Sequence, residues 1–267
     1  MYETLQLRRE GALAWLTFNR PERLNAMNRK LVAELHDYFG ALASDRETRV
    51  VVMRGAGRAF CAGLDLKEER SRGDESVTAN VSSGLRLQRT ISELVIRMRR
   101  LSQPFIACVH GAASGGGFAL ALGADVRIAG ESARMNAAFI RIGLSACDVG
   151  VSYFLPRMIG SSVAAELLLT GNFLSAARAE KIGLVSKVVP DAELESAART
   201  LAGEMLRNTP LGLRLTKECL NMSLDAGSLE AVVAMEDRNQ ILCAQSDDFR
   251  EGVKAFVEKR PPRYSDK

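Results

Sequence analysis

Two stretches of this chain place main-chain donors where chemistry could use them. The first is Ala59-Phe60-Cys61-Ala62-Gly63-Leu64-Asp65-Leu66, a loop leading from the apolar run 50–53 into a helix that Asp65 can cap. The second is Ser114-Gly115-Gly116-Gly117, which follows the apolar run 105–109 and again precedes a helix. N–H groups at such strand-to-helix turns can point at one oxygen and stabilise negative charge on it. Two of them aimed at one carbonyl make an oxyanion hole, where losing a donor costs about 2.7–4 kcal/mol of barrier. Alone, each signal is weak, because glycine-rich turns usually reflect only tight packing.

Other candidates carry less. Ser114 loosely resembles a nucleophile elbow, but the leading glycine is missing and no triad order follows. The cluster at 115–117 lacks the last glycine of a dinucleotide-binding turn. His36 and His110 are the only histidines: the first reads as surface, the second as a structural residue after a strand. Asp125 begins a strand and reads as structural. Five cysteines without a CxxC or His-spaced cluster argue against disulfides and a metal site, and for a reducing cytoplasmic compartment. Arg97, Arg99 and Arg100, near Arg86 and Arg89, read as a solvated helix face.

The elements that must position these groups follow from periodicity. The chain has 267 residues, of which 47% are hydrophobic and 25% charged, which suits one large α/β unit and excludes a disordered chain. A net charge of +4 and 6% aromatics do not fit a nucleic-acid binder, and no partner of that kind is expected. Residues 5–9 and 12–18 predict a hairpin through Glu10-Gly11. Leu31, Leu35, Tyr38, Phe39 and Leu42 predict a helix over 28–42 capped by Asn28. Buried strands are predicted over 50–53, 105–109, 126–129 and 184–189, a polar loop over 73–83, and a helix striped by Leu87, Ile91, Leu94, Val95, Met98 and Leu101. Residues 105–124 are apolar, but His110, Ser114 and the glycines make them a strand, a turn and a helix rather than a membrane span. Alternating strands and helices imply a parallel sheet. From Asp191 onward the pattern is helical, with Thr209-Pro210 as a start signal.

Taken together, the stretches resemble the enoyl-CoA hydratase/isomerase family, the crotonase superfamily. The matching segments are LTFNRPERLNAMN, AFCAGLDLKE, IACVHGAASGGGFALALGADVRIA, FIRIGLSACDVGVSYFLPRMIG, LLLTGNFLSAARAEKIGLVSKVV and EGVKAFVEKRPPRY, in order and over nearly the whole chain. The resemblance implies an α/β fold: a spiral of ββα repeats over 1–196 and a helical trimerisation region over 197–267. It implies a homotrimer or a dimer of trimers. It implies an acyl-CoA substrate with no separate cofactor, and chemistry through a thioester enolate. By motif position the oxyanion donors are the amides of Leu64 and Gly116. Arg23, Ala62, Asp65, Leu66 and Lys67 fall in the CoA-binding segments, as do Phe256 and Lys259, which can reach in from a neighbouring subunit. Cations suit the phosphates of CoA.

The chain departs from the hydratase pattern at both glutamates. Their positions hold Ala119 and Phe139, neither of which can move a proton or orient water. One carboxylate stands where some relatives carry an aspartate, Asp148 in Ser145-Ala146-Cys147-Asp148-Val149-Gly150. It reads either as an acid/base group with a raised pKa or as a helix cap for Val149 onward. The resulting expectation is an enoyl-CoA isomerase-type double-bond shift using Asp148. The alternatives are a hydratase and a non-catalytic acyl-CoA-binding protein.

Overall fold

Alternation of apolar side chains builds the sheet. In strand β3 (Val50–Gly55), Val51 and Met53 join one buried cluster and Val50 and Val52 the other. The computed structural model describes residues 1–72 and 80–266. Before β3 come β1 (Leu5–Glu10) and β2 (Leu13–Phe18), the expected antiparallel hairpin. After it come β4 (Phe105–Val109), β5 (Ala112–Ser114), β6 (Val126–Gly130), β7 (Arg134–Asn136), β8 (Leu174–Ser175) and β9 (Lys187–Val189). The larger sheet has the order β1-β2-β3-β4-β6-β9 and is parallel from β2 onward. The smaller sheet is β5-β7-β8.

The smaller sheet was not legible in the periodicity. Its strands are two or three residues long and hold their place through their neighbours. Strand β9 is also shorter than the predicted run over 184–189, because Leu184 and Val185 turn into the core instead.

Helices cover one face of the larger sheet. They are α1 (Arg29–Ser44) and, after the short α2 (Leu66–Arg70), α3 (Val81–Arg100) and α4 (Gly116–Gly123), and Leu31, Leu35, Leu94, Met98 and Phe118 fill the space beneath. Asn28 caps α1 as expected, accepting from the Leu31 amide at 2.9 Å. Of the polar loop expected over 73–83, residues 73–79 lie outside the described residues, while Asn80 caps α3 and 81–83 form its first turn. Past α5 (Val151–Ile159), α6 (Ser161–Thr170) and α7 (Ala176–Lys181), helix α8 (Leu194–Leu206) lies on the opposite face. Leu194, Ala198 and Ala202 there bury Trp15, Val50, Val52 and Ile106. Residue 196 lies inside α8, so packing on the sheet continues as far as Leu206.

The chain repeats one path: a strand in the larger sheet, a short segment in the second layer, then a helix. Strand β3 leads to Cys61 and α2; β4 leads to β5 and α4; β6 leads to β7 and, further on, α5. Cys61 bridges Ala113 in parallel, and β5 pairs with β7 in parallel, so successive turns lie side by side. This is the ββα spiral.

Helices α9 (Pro210–Ser223), α10 (Leu229–Ala244) and α11 (Asp247–Val257) close the chain. Lys217 ties α9 to the core. Its buried Nζ donates to the carbonyls of Met98 (2.9 Å) and Gln103 (2.7 Å) and pairs with Asp125 Oδ2 at 3.0 Å. Asp125 also pairs with Arg99 at 3.2 Å and accepts from the Phe105 amide at 2.7 Å. Asp125 is therefore structural, and Arg99 is not part of a solvated face. No described helix is long and apolar enough to cross a membrane.

Removing one partner from a buried ion pair costs about 3–5 kcal/mol. Lys217→Ala should therefore lower the urea midpoint of unfolding markedly and loosen α9–α11 first. An unchanged midpoint, with unchanged hydrogen exchange in α9, would show that this contact does not hold the helical region.

Candidate active site

Two successive turns of the spiral are locked in register by main-chain bonds. The Cys61 amide donates to the Ala112 carbonyl at 3.0 Å, and the Ser114 amide donates to the Cys61 carbonyl at 3.0 Å. Three residues beyond this bridged pair lie Leu64 and Gly116, so the two expected donors hold equivalent places in adjacent turns. On its other side the first turn is pinned by Met27, whose amide donates to the Gly63 carbonyl (2.7 Å) and whose carbonyl accepts from the Asp65 amide (2.9 Å). The Gly115 amide donates to the Asn136 carbonyl at 2.9 Å. These bonds engage the amides of Cys61, Ser114, Gly115 and Asp65 beside the two expected donors. Among the described residues, neither the Leu64 nor the Gly116 amide has a protein acceptor.

The approach of the turns requires glycine. Gly63 has φ +95°, and a Cβ there would lie 2.8 Å from the Ser114 carbonyl oxygen and 3.5 Å from the Gly116 nitrogen. A Cβ at Gly117 would lie 2.1 Å from the Cys61 carbonyl oxygen. The Cys61 thiol is buried and pushed up to about 12 by that burial, which leaves it protonated and unreactive.

Two residues that hold the first turn were not singled out by the sequence. Asn25 is fully buried and donates to the carbonyls of Ala56 (2.8 Å) and Ala59 (2.7 Å). Arg20 bonds the Ala26 carbonyl and pairs with Asp65 at 3.0 Å. Their signal was only an asparagine and an arginine beside Pro21, which any loop could contain.

The CoA-segment residues fall into two groups. The carbonyl of Leu24, next to Arg23, accepts from the Ala62 amide at 3.0 Å, which sets the Arg23 segment beside residues 62–65. Arg23, Leu66 and Lys67 are exposed there. Asp65 is buried and caps α2 through the Glu68 amide at 3.1 Å. Burial pushes its carboxyl up, but that amide and Arg20 outweigh it and hold the group below its ordinary range. Its carboxylate is thus already engaged. Phe256 is 85% exposed on α11 and Lys259 follows that helix. Among the described residues no hydrogen bond, ion pair or ring contact joins either to residues 62–67.

At the two hydratase glutamate positions, Ala119 is fully buried in the first turn of α4. The Phe139 ring packs over the glycine turn, 3.5 Å from where a Cβ of Gly115 would stand. Asp148 is half-buried. Its Oδ1 accepts from the Val149 amide at 2.7 Å and from Gln88 Nε2. Burial raises its pKa above the ordinary aspartate range, and the two bonds only partly oppose this. The capping alternative does not hold, because α5 begins at Val151 after Gly150 and no side chain accepts from its first amides. The raised pKa was foreseen, but Gln88 was missed, being 60 residues away on another helix. His110 Nε2 meets the Gly57 carbonyl at 2.9 Å and His36 Nε2 the Thr90 carbonyl at 2.8 Å, so both histidines have main-chain partners.

This architecture and this pair of turns define a class, and the comparisons agree on it. The enoyl-CoA hydratase/isomerase family model matches residues 8–267. A protein of Mycobacterium tuberculosis named "Probable enoyl-CoA hydratase" is 42% identical over 95% of this chain and 90% of its own length. The 1,2-epoxyphenylacetyl-CoA isomerase of Escherichia coli is 38% identical over 97% of each chain. The crystal structure of an enoyl-CoA hydratase from Bacillus anthracis superposes with a TM-score of 0.93 at 32% identity, covering 99% of this chain and 100% of that one. The chain belongs to the enoyl-CoA hydratase/isomerase family and has the crotonase fold.

A methyl group at Gly63 would force the two turns apart. Gly63→Ala should cut kcat/KM by about 10²–10³, the usual effect of losing one oxyanion donor. Steady-state kinetics on a protein whose circular dichroism is unchanged checks this, and near-normal kinetics would mean that the two amides do not work as a pair.

Proposed function

We propose that this family member shifts a double bond in an acyl-CoA thioester, with Asp148 as its acid/base group. The observation that carries the reading is a half-buried carboxylate with a raised pKa, together with Ala119 and Phe139 at the glutamate positions. Hydration needs a base for water and an acid for the α-carbon. A double-bond shift needs one group that removes a proton and returns it elsewhere.

In this reading the Leu64 and Gly116 amides receive the thioester oxygen. Asp148 takes a proton from C2 of a 3-enoyl-CoA, and the electron pair moves onto that oxygen as an enolate. The same carboxyl then delivers the proton at C4, the enolate collapses, and the 2-enoyl thioester leaves. The freedom of both amides supports this role for them, since a donor with no protein acceptor can bond the oxyanion without breaking another bond. Arg23 and Lys67 are exposed cations beside the first turn and suit the CoA phosphates.

Phe256 and Lys259 would complete the CoA site from a neighbouring protomer. Exposed Leu220, Leu229, Ile241, Phe256 and Val257 on α9–α11 give such a protomer apolar surface to cover, which supports a trimer or a dimer of trimers. The five free cysteines fit a reducing cytoplasmic setting.

The names of several relatives favour a second reading, hydration of 2-enoyl-CoA. The two are separated by absorbance of the conjugated thioester. An isomerase raises it from 3-enoyl-CoA, whereas a hydratase lowers it from crotonyl-CoA. Asp148→Asn should reduce isomerisation by about 10²–10⁴ with acyl-CoA affinity nearly unchanged. Full activity in that variant, or fast hydration with no isomerisation in the unmodified protein, would overturn the assignment.

A further inference from the structure

We infer that Gln88 is the positioning residue for Asp148: its carboxamide and the Val149 amide together pin Oδ1 and leave Oδ2 as the oxygen that carries the proton. This rests on the reading of Asp148 as the acid/base group.

The carboxylate is held asymmetrically. Gln88 Nε2 donates to Oδ1 from α3, and the same nitrogen lies 3.3 Å from Ser92 Oγ, one helical turn along. The Val149 amide donates to the same Oδ1 at 2.7 Å. Oδ2 has no protein hydrogen-bond partner among the described residues. Two donors on one oxygen fix the carboxyl plane and favour negative charge there. A proton is then carried by the other oxygen.

The backbone beside this contact is strained. Val149 has φ +46° and Gly150 φ +82°, two left-handed residues in succession. For a β-branched residue that conformation is a real outlier. Val149 is 5% exposed and packed into the core, which holds it in place. Strain of this kind persists only where the surrounding structure over-determines it.

Among the described residues no charged side chain pairs with Asp148. On α3, Glu93 pairs with Arg97 and Arg100, while Arg99 pairs with Asp125. On α5, Tyr153 and Arg157 both turn to Asp225. Helix α4 has no titratable side chain. Arg86, Arg89, Arg141 and Cys147 complete the titratable groups on these elements, and none pairs with Asp148 among the described residues. Gln88 is therefore the side chain that sets the carboxylate's orientation, and it also favours its ionised form.

The sign of the effect follows. A donor to the carboxylate lowers its pKa, so removing the donor raises it. The test is the pH profile of isomerisation by the full chain. Gln88→Leu keeps the apolar stem and removes the donor. Its acidic limb of kcat/KM should move up by about one pH unit, and its plateau kcat should fall about 10-fold with KM nearly unchanged. Gln88→Glu sets a second carboxylate beside the first and should move the limb further up. Should Gln88→Leu fail to fold, Gln88→Glu, which keeps length and polarity, still reads the shift. A limb that stays in place, or a loss uniform across pH, would give Gln88 a merely structural role and overturn the inference. Asp148→Asn is assayed alongside. If it is fully active, the acid/base reading falls and this inference with it; if it is inactive while the Gln88 variants keep the original limb, only the role of Gln88 falls.

Discussion

The structure depends on the pairing of two successive turns of the spiral through Cys61. Its amide and carbonyl both bond the Ala112–Ser114 segment, so the turns cannot slide relative to each other. A slip of one residue would reverse which groups face each other. With the register fixed, the amides of Leu64 and Gly116 come to matching places and have no protein partner among the described residues. Buried amides without partners are uncommon and call for an explanation. In the function proposed above, a substrate oxygen that becomes an anion takes that place.

Around this lock the molecule is built in layers of support. Asn25 and Arg20 hold the first turn from below, and Gly63 and Gly117 allow the backbones to touch. Helix α8 closes the back of the sheet, so the strands feeding both turns are buried on two faces. The carboxylate comes from a different place, the strained turn before α5, and is steadied from α3. The two free amides and the carboxylate thus stand on separate elements.

The loss of both glutamates fits this division. Phe139 packs against Gly115 and Ala119 is sealed inside α4, so neither position offers a group that could hold water. A half-buried aspartate with no ionic partner among the described residues is suited to picking up and releasing a proton, because burial disfavours its charged form and raises its pKa.

By itself the sequence determined the elements whose signal is local. The hairpin, the Asn28 cap, the stripe of α3, the Thr209-Pro210 start and the parallel sheet all follow from period, cap and turn chemistry. The two glycine turns were visible as well, and so were the missing glutamates. What the tertiary structure decided is everything that depends on residues far apart in the chain. The strands of the smaller sheet are too short to show a period, and the bond between Gln88 and Asp148 joins α3 to a turn 60 residues further on. The rejection of Asp148 as a helix cap needed the observed start of α5 at Val151. That a pair of amides is free is likewise a property of where every other acceptor has gone, and such an inventory exists only once the chain is folded.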